Sequence, residues 1–174
     1  EYMSDGQISY IGQDLWEMYY QTVLAEPVNP YIIKKSNLNI VYTPLCVTGN
    51  EPVRDVLGRL GVNIAVVDCQ EQPDGDFKTC EYPNPETDAA LNESYKVAQN
   101  SPCDVILGTD PDCDRVAIAV PDGDGFRKLS GNELGCLLLE YILRALSEKG
   151  SIPSGAIAVR SIVSSPLADR ICKK

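Results

Sequence analysis

The chain has no histidine, and only one tryptophan, two phenylalanines and two methionines, in 174 residues. Imidazole catalysis and imidazole metal ligands are therefore excluded within it, and any cation must be held by oxygen or sulfur. Basic residues are also scarce, 15 against 25 acidic ones, for a net charge of −10. Such a charge repels a phosphate backbone or an anionic bilayer, so neither nucleic acid nor a membrane is an expected partner. An anionic ligand has to be bound locally, by helix N-termini, a cation or a placed arginine. No apolar run approaches the roughly 18 residues of a spanning helix, and no signal or transit pattern is visible at the start.

Cysteine is not scarce, but its spacing excludes most of its chemistry. Cys46, Cys69, Cys80, Cys103, Cys113, Cys136 and Cys172 are odd in number, irregularly placed and free of any CxxC pair. Reduced thiols in a cytoplasmic protein are the expectation. Apolar residues make up 44% and charged residues 23% of the chain, the composition of a globular domain. The length allows one full core with an appendage.

Periodicity supplies the elements. Leu15, Met18, Thr22 and Val23 predict an amphipathic helix over 14–24, ended by Pro27, Asn29 and Pro30. A buried strand over 38–42 leads through Gly49 to a helix with Val53, Val56, Leu57 and Leu60 on one face and Gly61 as its stop. A second strand covers 62–67. The polar stretch that follows is long for a compact domain, which places it at a functional surface. Asn84 and Pro85 read as cap and first turn of a helix bearing Leu91, Tyr95 and Ala98.

Strands over 104–107 and 116–120 bracket an acidic loop, and a turn at 122–125 returns the chain along 126–129. Ser130 and Glu133 form a capping box for a helix reaching Gly150, whose Leu134, Leu138, Tyr141, Ile142 and Ala145 provide a long apolar face to cover the sheet. A strand-like run over 156–163 and a helical pattern at Leu167, Ile171 and Cys172 complete the chain. Strands alternating with helices and closed by a hairpin imply an α/β fold, with helices layered on a mixed, partly parallel sheet. The organisation expected is a linker over 1–13, one α/β domain over 14–150, and a linker with the first strand and helix of a further domain over 151–174. Both ends read as cuts through a longer polypeptide.

The sharpest signal is Asp110-Pro111-Asp112-Cys113-Asp114-Arg115, between the apolar strands Val105-Ile106-Leu107 and Val116 to Val120. Alternate residues of an extended segment point to one side, so three carboxylates converge, and Pro111 removes backbone freedom. Converging carboxylates call for a hard cation; three of them with an external phosphate oxygen or water suit Mg²⁺ better than calcium. The plain alternative is a solvated acidic turn. Arg115 reads either as a charge-balancing partner or as a fork for a phosphate on the metal.

The segment Gly108 to Val120 resembles the metal loop of the α-D-phosphohexomutases, the phosphoglucomutase/phosphomannomutase family. Tyr42-Thr43-Pro44-Leu45, Gln72 to Phe77, Tyr82 to Glu86, Leu129 to Glu133 and Ser161 to Ala168 match further motifs in family order, closest to its Gram-positive bacterial branch. The resemblance spans nearly the whole chain. It implies a layered α/β/α domain of the second-domain type, with Asp110, Asp112 and Asp114 as Mg²⁺ ligands and Arg115 at the active site. It also implies interconversion of hexose 1-phosphate and hexose 6-phosphate, of glucose or mannose, through a hexose 1,6-bisphosphate. The phosphoserine that donates the phosphoryl group lies outside this chain, so the remaining domains of the same polypeptide are its partners. One departure is Cys46-Val47-Thr48-Gly49, where many members carry His-Gly.

Two rival readings are weighed on the residues. In a phosphatase that forms an aspartyl phosphate, Asp110 would attack and Asp112 would serve as acid/base, but Asp114 stands where Thr or Val is expected. A non-catalytic divalent-metal module of EF-hand type needs Gly and Glu where Arg115 and Pro121 stand.

Overall fold

In the computed structural model, which describes residues 6 and 8–173, the apolar runs form five strands. These are β1 (Asn39–Thr43), β2 (Asn63–Val66), β3 (Val105–Thr109), β4 (Val116–Asp122) and β5 (Gly125–Lys128). They form one sheet in the order β2-β1-β3-β4-β5. β1 pairs in parallel with both β2 and β3, and β4 and β5 run antiparallel. Around the sheet lie α1 (Gln13–Leu24), α2 (Pro30–Ser36), α3 (Asn50–Arg59), α4 (Asp88–Gln99), α5 (Gly131–Glu148) and α6 (Leu167–Ile171).

Because strand side chains alternate, each strand feeds two cores. Val41, Ile106 and Ala119 pack with Leu91 and Ala98 of α4 on one face. Ile40, Tyr42 and Leu107 pack on the other with Leu60, Val53, Val56 and Leu57 around α3, Ile33 of α2 and Leu24 of α1. The sheet is thus sandwiched between helical layers, as the α/β/α reading expects.

Helix entries follow local chemistry, with two corrections. Pro30 was read as part of a helix stop, yet it is the first residue of α2, where its missing N–H costs nothing, and Asn37 closes that helix in the left-handed region at φ 49°. Asn84 and Pro85 do not start α4. Thr87 is its cap, accepting from the Ala90 N–H at 3.4 Å, while Asn84 Oδ1 closes a tight turn by accepting from the Glu86 N–H. In α1 the inward face is Trp16, Tyr20, Val23 and Leu24 rather than Leu15 and Met18, which are exposed. The Trp16 and Tyr20 rings stack at 5.7 Å and the Arg59 guanidinium sits 4.7 Å over Tyr20, so the aromatic pair chooses the face.

The capping box forms as read, with Ser130 and Glu133 bonded reciprocally. The rest of α5 does not cover the sheet as expected. Leu137, Leu138, Tyr141 and Ile142 are 38 to 57% exposed, and Ala145 alone is buried. Polar contacts hold this helix instead: Arg127 with Glu133, Asn29 Nδ2 to the Tyr141 hydroxyl, and Lys149 to the Val28 carbonyl. The sheet narrows there to the four-residue β5, which pairs Arg127 beside Val120 and so offers a charge where an apolar helix face needs carbon. The run over 156–163 forms no strand. It pairs with no described neighbour, and Ile157, Val159, Ile162 and Val163 are 81 to 95% exposed.

Candidate functional site

Parallel strands followed by helices collect helix N-termini at the strands' C-terminal edge. Here α3, α4 and α5 all begin at that edge, because β5 runs in the same direction as β3. The acidic loop 110–115 emerges there from Thr109, the buried end of β3, and turns directly into β4.

The loop is shaped by its own first residue. Asp110 is 6% exposed. Its carbonyl accepts from the Cys113 N–H at 3.0 Å, and its Oδ1 accepts from the Arg115 N–H at 2.9 Å. This fold-back puts Cys113 in the left-handed region at φ 60°, a conformation that costs a residue with a Cβ roughly 1 kcal/mol or more. The result is that one carboxylate oxygen from each of Asp110, Asp112 and Asp114 lies within 4.8 Å of the others. Asp110 is buried at the base, and the other two face solvent.

The cluster carries uncompensated negative charge. The Asp114 carboxyl is held above its ordinary pKa, first by its hydrogen bond with Asp110 and then by repulsion from Asp112 and Asp110, with Arg115 pulling the other way. Arg115 Nε stands 3.8 Å from Asp110 and 3.7 Å from Asp114, too long for a tight ion pair and half exposed, so the pairing contributes little. Among the described residues no hydrogen bond occupies its two Nη atoms, and they keep their donors for another acceptor.

The donor set suits a hard divalent cation. Two oxygens on one Mg²⁺ at about 2.1 Å are separated by at most about 4.2 Å. The three oxygens lie within 4.8 Å of one another, so the carboxylates must close in further for one ion to take all three.

Residues that the sequence reading noted in its motifs, or not at all, and assigned no role at the site brace the loop. Tyr42, fully buried on β1, shares a 2.9 Å hydrogen bond with Thr109, and burial pushes its hydroxyl pKa up to about 12. Thr48 Oγ1 donates to the Pro111 carbonyl at 2.8 Å. The polar stretch after β2 folds back onto this same edge, with Thr43, Gln70 and Thr79 in one hydrogen-bonded chain and the Asp74 N–H on the Cys46 carbonyl. Gly49 was the available signal, since a lone glycine between a buried strand and a helix marks a close backbone approach.

The fold and site define a mixed α/β/α domain with an acidic loop at the C-terminal edge of its parallel strands, and the comparisons give that class its family. The family profile described as phosphoglucomutase/phosphomannomutase, alpha/beta/alpha domain II, matches residues 17–123. A probable phosphomannomutase of Haemophilus influenzae is 38% identical over 165 residues, covering 89% of this chain and 33% of that protein. A phosphoglucomutase of Staphylococcus haemolyticus is 32% identical over 164 residues, covering 92% of this chain and 29% of its own length. The crystal structure of a phosphoglucomutase/phosphomannomutase family protein of Burkholderia thailandensis superposes with a TM-score of 0.54 at 17% identity, covering 73% of this chain and 26% of that one, a likeness of fold. The chain belongs to the phosphoglucomutase/phosphomannomutase family, as a domain II, and spans about a third of the length of these curated relatives.

Proposed function

We propose that this chain is the cation-holding domain of a hexose-phosphate mutase, with Asp110, Asp112 and Asp114 as ligands of Mg²⁺ and Arg115 beside the transferring phosphate. The observation that carries the reading is the convergence of the three carboxylates at the strand edge of a domain II fold. Bound there, a magnesium ion supplies electrostatic stabilisation of charge on the phosphoryl oxygens. Asp110 fixes the base of the cradle through its two backbone hydrogen bonds. Asp112 and Asp114 present oxygens outward, and Arg115 offers free Nη donors to a phosphate.

The substrates proposed are glucose or mannose phosphates and their 1,6-bisphosphate. The relatives named phosphomannomutase and phosphoglucomutase support that class. The domain is taken as 14–150, with 1–13 and 151–174 leading to other parts of the polypeptide. Seven free cysteines fit a reducing, cytoplasmic setting. The rival aspartyl-phosphate reading gains nothing from the geometry, since the proposed nucleophile Asp110 is buried and committed to the Arg115 N–H.

Titration of the chain with Mn²⁺, competed by Mg²⁺, tests the cradle: one site lost in Asp112→Ala is expected, and binding indifferent to that change removes the assignment. With glucose 1-phosphate, its bisphosphate and Mg²⁺ the chain alone should give no glucose 6-phosphate. Turnover abolished by Asp110→Asn would mark a complete enzyme of another kind.

A further inference from the structure

We propose that Thr48 is a positioning residue, clamping the acidic loop onto the turn between β1 and α3 so that the three carboxylates are held together before a cation binds. The inference rests on the cation reading above and names what holds that site.

The turn is a firm anchor. Leu45 and Cys46 both lie in the left-handed region, at φ 50° and 65°, and both are almost fully buried. Such strain persists only where surroundings over-determine it. Here the Leu45 N–H donates to Thr43 Oγ1, the Cys46 N–H to the Gln70 carbonyl at 2.8 Å, and the Cys46 carbonyl accepts from Asp74. Thr43 and Gln70 are themselves buried and bonded at 2.6 Å.

From this anchor two features reach the acidic loop. The Thr48 hydroxyl donates to the carbonyl of Pro111, the residue between the first two aspartates, and stands 3.7 Å from Cys113 Sγ, between the second and third. Next to it, Gly49 lets the loop close in: a Cβ at that position would lie 2.6 Å from the Tyr42 hydroxyl, 2.7 Å from Cys113 Sγ and 2.8 Å from Thr109 Oγ1. The acidic loop needs such a hold. Its three carboxylates crowd within 4.8 Å of one another, and Arg115 is too distant to draw them in. Thr48 is solvent-exposed, so its hydroxyl adds little to global stability; its effect is on where the Pro111 carbonyl sits.

Two substitutions separate hydroxyl from shape: Thr48→Val removes the donor and keeps the branch, and Thr48→Ser keeps the donor. Amide hydrogen exchange in the metal-free chain is read at Cys113 and Arg115, whose N–H groups bond Asp110. Mn²⁺ affinity is read from the free-ion electron paramagnetic resonance signal. Thr48→Val should speed exchange at those two amides and weaken Mn²⁺ binding about tenfold, the usual effect of losing support behind a ligand. Thr48→Ser should restore both, with melting temperature and exchange in α4 unchanged throughout. Unaltered exchange in Thr48→Val overturns the clamp whether or not any cation binds. A matching fall in melting temperature, or failure of Thr48→Ser to restore, overturns it as well. If exchange responds as stated but the wild-type chain takes no Mn²⁺, the clamp stands and the cation reading falls.

Discussion

The helices at the two ends of the sheet both carry apolar side chains and reach very different burial. In the parallel half, β2, β1 and β3 carry helices on both faces, and Val41, Tyr42, Leu91 and Ile106 are sealed from solvent. At the antiparallel end, α5 keeps Leu137, Leu138, Tyr141 and Ile142 in water, and the run beyond it is more open still. The difference lies in what each face meets: carbon in the first half, Arg127 and end-on polar contacts in the second. A hydrophobic stripe stabilises only when another surface removes it from water. The acidic loop joins β3 to β4 at the seam, so a rigid half positions its carboxylates and an open side leaves them reachable.

The largest expected effect contrasts the halves directly. Leu91→Ala, in the sealed core under β1 and β3, should cost about 2 to 5 kcal/mol by urea unfolding. Leu138→Ala on α5 should stay within about 0.5 kcal/mol. Equal losses at the two sites would erase the comparison. Next comes the seam: Gly49→Ala forces three close contacts and should destabilise by about 1 to 3 kcal/mol, with part of that recovered by adding Cys113→Ala, which withdraws one of the clashing atoms. No recovery would place the strain at Tyr42 and Thr109 instead. Smaller again is Asp112→Ala without metal, where relief of repulsion should leave stability unchanged or slightly raised and return the Asp114 carboxyl toward its ordinary pKa. A fall in stability would mean that Asp112 braces the loop rather than repelling its neighbours.

The same contrast explains what the sequence made legible. The five sheet strands, helices α1 and α3 to α6, the hairpin at Gly123, the capping box and the Asp110 to Asp114 cluster are local patterns, and each is found in place, whereas α2 was read only as a helix stop. Burial of α5 and the strand at 156–163 depended on what would lie against them, which no local pattern encodes. The inward face of α1 went to the Trp16 and Tyr20 stack because Arg59, 39 residues beyond Tyr20, caps it. Thr48 was unreadable for the same reason: its partner Pro111 lies on a different loop, brought near only by the pairing of β1 with β3.

Acid provides the finest test of whether the two halves unfold as one. Glu17 on α1 is held near pKa 2, from an ordinary 4.5, chiefly by its hydrogen bond from Arg59. Glu133 at the start of α5 is likewise held near 2, chiefly by the Ser130 N–H and then the Ser130 hydroxyl. Both folded pKa values lie below the unfolded one. Each carboxylate therefore contributes stability in full above about pH 4.5, and that contribution is lost as pH falls toward 2. Both groups are exposed, so the effects are small and screened by salt. If the halves differ as their burial indicates, Glu17→Gln should lower the global melting temperature at pH 6 and match wild type near pH 2. Glu133→Ala should instead speed amide exchange within α5 over the same range while leaving the global transition in place, because a helix with one buried residue can fray without opening the core. A Glu133→Ala shift of the global transition as large as that of Glu17→Gln would show the antiparallel end to be as tightly coupled to the core as the parallel one.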